Sequence, residues 1–275
     1  LQNFVYIVHG IGVSILGQYK QNFAGTWGAK TLADGTFDVS VVLAVIAALG
    51  LGRLITLPFS GPISDRFGRR ISGLIGMACY AAYFVGIVFS PNLYVAYAFA
   101  LIGGAANSFL DTCVTPSCLE IFVNSGDVAN MFTKFSISIG QFVLPFMIGF
   151  VAVNQLSYKT IFLVVALFII IDAILIAFMP FPPMNRTNDS EENGIKPVKG
   201  KMKFTPVSIA IICIGFTSTS TFQLWLNCNQ ELGKLYGMID PSKIQSFYSL
   251  GTMTAILVTA FLVKKFIKPV RILAI

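Results

Sequence analysis

An all-α integral membrane protein is the fold class this sequence predicts, and three observations predict it. Only 11% of the 275 residues are charged while 55% are hydrophobic, against about 25% charged in an ordinary soluble domain. Mean hydropathy is +0.77, and the chain holds 25 Phe. The apolar residues also fall in long unbroken runs instead of the short periodic stripes of a soluble core. Continuous runs favour helices over a β-barrel, whose strands alternate apolar and polar positions over about ten residues.

A spanning helix needs about 20 mainly apolar residues. The first stretch that fits, 3 to 22, lacks a basic amino-terminal segment and ends in Gln18, Lys20, Gln21 and Asn22, not in a small-residue cleavage site. It reads as a mature helix and not as a cleaved signal. The second, 39 to 60, is apolar around a single Arg53, and the third, 71 to 89, follows a short basic loop. The fourth, 93 to 117, carries a polar stripe in its second half. The fifth, 130 to 153, contains Gly140-Gln141-(x)3-Pro145-(x)3-Gly149, read as a kink and close-packing device, and the sixth, 160 to 180, is apolar around Asp172. Spans over 204 to 227 and 243 to 263 complete a set of about eight helices.

Basic residues assign orientation through the positive-inside rule. One set of alternate loops holds Arg66, Arg69, Arg70, Lys134, Arg186, Lys196, Lys199, Lys201, Lys203, Lys264, Lys265, Lys268 and Arg271, whereas the opposite side holds Lys20, Lys30, Lys159, Lys234 and Lys243. The amino terminus is therefore expected in the cytoplasm, as is the native carboxyl terminus. The net charge of +7 follows this topology, so no nucleic-acid partner is inferred. Residues 181 to 203 are polar and turn-rich, from Phe181-Pro182-Pro183 through Asp189-Ser190-Glu191-Glu192-Asn193. They read as a cytoplasmic linker between an amino-terminal six-helix bundle, 1–180, and the start of a second bundle, 204–275. Two helices cannot match six, so a fragment of a longer chain is expected. Sequons at Asn185 and Asn188 fall in this linker and read as accidental. Cys79, Cys113, Cys118, Cys213 and Cys228 form no CxxC pair, so they read as small packing residues with no metal or disulfide role.

Between the second and third spans stands Gly61-Pro62-Ile63-Ser64-Asp65-Arg66-Phe67-Gly68-Arg69-Arg70. Gly61 and Gly68 permit a tight turn, Asp65 can pair with a basic residue or a helix amino terminus, and Arg66, Arg69 and Arg70 suit the inner leaflet. The pattern G-x-x-x-D-R-x-G-R-R resembles the signature loop of the major facilitator superfamily. That resemblance implies two six-helix bundles, of which this chain would hold about eight of an expected twelve transmembrane helices. It also implies a solute held between the bundles near mid-membrane, a loop with a gating role, and alternating access by rocking of one bundle on the other. Spans one, four, seven and ten usually line the cavity in such folds, and span ten is not present here.

An ionisable residue inside the bilayer is costly and is a functional candidate by default. In span four, Asn107, Asp111 and Thr115 fall on one helical face, a candidate face for solute and proton, with a structural carboxylate satisfied by a neighbouring helix as the alternative. Leu110-Asp111-Thr112-(x)3-Pro116 resembles the fourth span of the fucose permease family of sugar and proton symporters. By that likeness Asp111 would take part in proton coupling and sugar binding. The family's second acid, in span one, has no equivalent, and Ser14 and Gln18 stand there instead. Span seven offers Thr219, Gln223 and Asn227 with Trp225 one register away. Amides and hydroxyls suit a polyhydroxylated or carboxylated solute, and an aromatic stacks on a ring. Arg53 is expected to pair near the inner face or with an acid such as Glu120, not to bind solute. His9 is read as packed or weakly polar, and Asp172 as either a structural carboxylate or a coupling site.

The sequence therefore predicts a monomeric secondary transporter in the cell membrane, moving a sugar or small organic acid with protons as coupling ion and with no cofactor. An exporter of drugs or metabolites is the runner-up. The Arg in span four and the Gly-Pro-x-x-Gly-Gly run in span five that typify multidrug and proton antiporters of the superfamily are both lacking. A receptor that kept the fold without transport is a third class. No nucleophile and base pair, metal cluster or G-x-x-x-x-G-K-[ST] phosphate loop appears, so an enzyme or ATP-powered pump is not expected.

Overall fold

The computed structural model describes residues 2–33, 35–121, 126–179 and 205–265. Helices follow one another as α1 (Gln2–Gln18), α2 (Lys20–Thr26), α3 (Ser40–Phe67), α4 (Arg69–Phe89), α5 (Leu93–Ile121), α6 (Gly126–Val153), α7 (Lys159–Phe178), α8 (Pro206–Leu235) and α9 (Lys243–Lys265). Seven of them, α3 to α9, are long and apolar enough to cross a membrane, and α1 contributes a shorter apolar helix over Phe4–Gln18. The linker expected over 181 to 203, with its two sequons, lies outside the described residues, as do Lys268 and Arg271.

The helices outrun the apolar stretches that predicted them. Span four continues to Ile121 and span seven to Leu235, because backbone groups at a membrane boundary stay paired inside a helix even where side chains turn polar. Span one bends at Tyr19 (φ −111°, ψ 27°). Backbone bonds from Tyr19 N to Ile15 O (3.2 Å) and from Phe23 N to Tyr19 O (3.1 Å) carry the ladder across the bend into α2. Just beyond α2, Asp38 Oδ1 accepts the Ser40 N–H at 2.9 Å at the start of α3, and that bond holds the exposed carboxyl below its usual range.

Packing rests on small residues that bring backbones together. Helix α3 lies along α5, α4 lies against α5 and α7, α1 against α6, and α9 against α6. At the α3/α5 crossing, a Cβ on Gly52 would stand 2.2 Å from Leu101 O, and one on Gly104 would stand 2.2 Å from Leu49 O. At the α1/α6 crossing, a Cβ on Gly140 would stand 1.9 Å from Ile7 O. Dispersion and close backbone approach, not hydrophobic transfer, hold helices together in lipid. The expected packing role of the Gly140 segment is therefore observed, and α6 runs through Pro145 without ending. The core so formed centres on Tyr80, Tyr83, Phe84, Phe162 and Phe23. Two of the five cysteines, Cys113 and Cys118, are packing residues as expected, buried in a second, smaller cluster with Tyr6 and Val114. Cys213 and Cys228 instead are exposed on α8, where helical periodicity turns them outward.

Substituting Gly140 by Leu forces α1 and α6 apart and is expected to destabilise the full-length protein by about 1–3 kcal/mol, the usual cost of overpacking. Gly149→Ala, where nothing lies within 4 Å of the new Cβ, should be neutral. Thermal unfolding of detergent-purified protein, read with its monodispersity, compares the two.

Candidate functional site

Helices α3 and α5 run parallel, so residues in step along them meet. Ser108 Oγ donates to Arg53 O at 2.9 Å, and Ser64 Oγ donates to Thr112 O at 2.9 Å. This register sets Arg53 beside Asp111, with Arg53 Nη2 2.6 Å from Asp111 Oδ2. The other carboxylate oxygen, Oδ1, accepts the Tyr6 hydroxyl of α1 at 2.9 Å, and that hydroxyl also lies 3.3 Å from Thr115 Oγ1. Three helices thus converge on one carboxylate. Arg53 pairs with an acid, as expected, but that acid is Asp111 and not Glu120. Glu120 sits one turn beyond the apolar run, 3.5 Å from Arg69 Nη2, whereas Arg53 lies too far up α3 to reach it and takes the acid of its own level.

Asp111 and Arg53 are not sealed in the core. Their side chains are 26% and 48% exposed, and an arginine inside the bilayer region is stable only toward water or a partner, since facing lipid costs at least about 2.5 kcal/mol. Each has the other as partner, and the pair keeps one side open. Behind them His9 is buried, its Nδ1 3.2 Å from Tyr80 Oη, with ring contacts to Tyr6 and Tyr80. The packed reading of His9 is the one its position supports.

Of the remaining candidates, Asn107 is 6% exposed with an Oδ1 that has no hydrogen-bond partner, on the face it shares with Asp111 and Thr115. Ser14 is buried and donates to Gly10 O at 3.1 Å, its own helix, as hydroxyls in apolar helices often do. On α8, Thr219 and Gln223 are exposed, the Trp225 ring lies tilted against that of Tyr248 of α9 at 5.8 Å, and Asn227 Nδ2 donates to Gln223 O at 2.9 Å. The structure brings Asn107, Asp111 and Thr115 together with Tyr6 and Arg53. It does not bring the α8 stripe to them.

What α8 does reach is the far end of α1. Lys20 Nζ lies 2.6 Å from Glu231 Oε1 and donates to Asn227 O, and Gln230 Nε2 donates to Gln18 Oε1. Lys20 is only 4% exposed. These contacts gather around Gly17, Gln18 and Lys20, while Ile209, Ile212, Ile214 and Phe216 in the first half of α8 are exposed. Gln18 and Asn227, expected in the cavity wall, sit in this closure.

At the opposite end, the Gly61 to Arg70 segment is no loop. Helix α3 carries through Pro58 and Pro62 to Phe67, and α4 starts at Arg69, so Gly68 alone makes the turn. Its φ of +99° is open to glycine and strained for other residues. Arg69 Nη1 lies 2.6 Å from Asp65 Oδ1 and donates to Ser64 Oγ at 3.0 Å, and its Nη2 faces Glu120. Arg70 donates to Met179 O at the end of α7. Arg66 instead lies over the Phe67 ring at 5.4 Å, and Gly61 has open space beside it. Asp65 thus pairs with a basic residue, the first of its two expected roles.

Asp172 is buried in α7 with an unpartnered Oδ2, away from the α1/α3/α5 cluster. A cavity of about 450 Å³ between α6 and α7 is lined by Phe146, Phe150, Val164 and other apolar residues, which suits lipid chains and not a polar solute. Tyr6 carries little signal of its own in the sequence, because an isolated Tyr in an apolar run is ordinary. Its spacing of three from His9, which puts both on one face, is the one feature that marks it.

The family model of the Major Facilitator Superfamily matches residues 3–275. The chain is 32% identical over 282 residues to the inner membrane transport protein YdiM of Escherichia coli (strain K12), covering 98% of this chain and 66% of that one. It is 32% identical over 241 residues to the uncharacterized MFS-type transporter YfkL of Bacillus subtilis (strain 168), covering 86% and 60%. Among solved structures, that of a D-xylose-proton symporter superposes with a TM-score of 0.63 at 16% identity, over 95% of this chain and 65% of the symporter. The chain thus spans about two thirds of the length of the proteins it matches.

A double-mutant cycle measures the central pair. Arg53→Met and Asp111→Leu should each lower the unfolding temperature of the full-length protein by leaving a charge unmatched. The double variant should recover part of the loss, with a coupling of about 1–3 kcal/mol, within the range for residues in direct contact.

Proposed function

The chain belongs to the Major Facilitator Superfamily, and from that footing we propose that it moves a small polar solute, a sugar or an organic acid, by alternating access coupled to protons through Asp111. The observation that carries the reading is the bonding of that carboxylate. Asp111 is an ionisable group within a spanning helix, held by Arg53 and Tyr6 and still partly open. A carboxylate in that position exchanges one favourable partner, the guanidinium, for another, a proton, so its protonation is tied to a rearrangement between α3 and α5.

Tyr6, Asn107 and Thr115 add donors and acceptors beside it. Asn107, buried on the face it shares with Asp111 and beside His9, offers a solute an amide. The Thr219 and Gln223 stripe of α8 belongs in this reading to the facing wall. Trp225 and Asn227, bound to α9 and to the closure, act by placing that wall.

The positive-inside rule places the Arg66, Arg69 and Arg70 end in the cytoplasm of a cell-membrane transporter. The Lys20–Glu231 contact then closes the outer side, and the exposed first half of α8 fits a cleft open inward. The Asp65–Arg69–Glu120 cluster ties α3, α4 and α5 at the inner end and gives the signature segment its gating role.

In proteoliposomes holding the full-length protein, Asp111→Asn should lower pH-gradient-driven accumulation of a transported solute at least tenfold while solute counterflow persists. Equal accumulation in the variant would remove Asp111 as the coupling site. In a cysteine-free background, Glu231→Gln should raise labelling of Asn107→Cys by an external impermeant thiol reagent a few-fold, as loss of the outer contact shifts the population outward.

A further inference from the structure

We propose that the solute is a monocarboxylate, and that Arg53 is the residue that binds it, in an exchange in which a proton and the solute's carboxylate divide the Arg53–Asp111 ion pair between them. This rests on the reading of Asp111 as the proton-coupling site, and it follows from how the pair is built.

Asp111 uses both of its oxygens, Oδ2 for Arg53 and Oδ1 for Tyr6. Arg53 gives it only Nη2. Among the described residues its other guanidinium nitrogens have no side-chain partner, and the side chain is 48% exposed, nearly twice as much as the acid it faces. The guanidinium is therefore the more accessible half of the pair. It is a planar fork whose natural partner is a carboxylate held at two points, which a single Nη2 contact does not satisfy.

Charge balance then selects the solute. The titratable or charged groups that act on Asp111 and its neighbours are Tyr6 and His9 from α1, Arg53 from α3, Tyr80 from α4, Cys113 on α5 itself and Lys134 from α6. Among the described residues, Asp111 is the only acid paired with Arg53. When a proton adds to Asp111, its carboxylate becomes a carboxylic acid, keeps its bond to Tyr6 and releases the guanidinium. A neutral sugar would leave that guanidinium without an anionic partner, whereas a solute carrying one carboxylate replaces the one it has lost. Loss of the proton to the other side regenerates the Asp111 carboxylate, which retakes Arg53 and expels the solute. One proton and one monoanion cross together, no bond other than O–H forms or breaks, and no net charge moves.

The test uses proteoliposomes of the full-length protein with radiolabelled lactate, benzoate and gluconate as probes and xylose and glucose as neutral controls. Accumulation of at least one of the three acids under an inside-alkaline gradient is expected, changed less than twofold by a potassium diffusion potential. Arg53→Gln should weaken the protection of the purified protein against heat by that acid at least tenfold in concentration, with Arg53→Lys restoring part of it. Gradient-driven accumulation of a sugar with all three acids excluded overturns the carboxylate assignment and leaves proton coupling intact. Acid uptake indifferent to the pH gradient overturns the coupling reading and the exchange built on it. Acid uptake driven by the potential overturns the one-for-one charge balance, and accumulation of none of the acids overturns the proposal outright.

Discussion

A charge inside a membrane needs a partner, and the Arg53–Asp111 pair is where this chain meets that demand. Either residue alone would be an expense that no apolar helix recovers. Together they fix the level of α3 against α5, and through Tyr6 they draw α1 to the same point. Much of the arrangement around the pair follows from this one contact. The hydroxyls of Ser108 and Ser64 keep the register that the pair requires, and the aromatic block of Tyr80, Tyr83 and Phe84 closes the space behind it.

The pair forms only because the backbones around it come close. Gly52 and Gly104 let α3 and α5 approach until a methyl group would collide with a carbonyl, and Gly140 does the same for α6 and α1. In lipid such approach replaces the hydrophobic drive that packs soluble helices. Packing and chemistry are therefore one design on these helices. The glycine that permits the crossing is the residue immediately before the arginine that the crossing serves.

The two ends of the bundle are tied differently. At the basic end a single glycine with positive φ turns the chain, and Arg69 joins Asp65, Ser64 and Glu120 within three consecutive helices. At the other end the ties run between distant parts of the chain, from Lys20 and Gln18 to Glu231 and Gln230. Local ties hold one bundle together. Under the proposed alternating access, long-range ties between α1 and α8 are the kind that must break and reform.

The sequence alone determined the class, the spans and their order, because apolar runs of membrane length and the clustering of basic residues are local properties that survive without knowledge of contacts. It also singled out Asp111, since an acid in such a run is conspicuous wherever it lies. Partners were another matter. Arg53 pairs with Asp111 and not with Glu120, the signature segment is helical up to Gly68, and Gln18 and Asn227 join α1 to α8. Each depends on how far a helix continues past its apolar run or on the register between helices remote in sequence. Only tertiary structure decides these, because backbone pairing in a membrane prolongs helices beyond hydrophobic boundaries, and because glycine crossings, not composition, choose which side chains share a level.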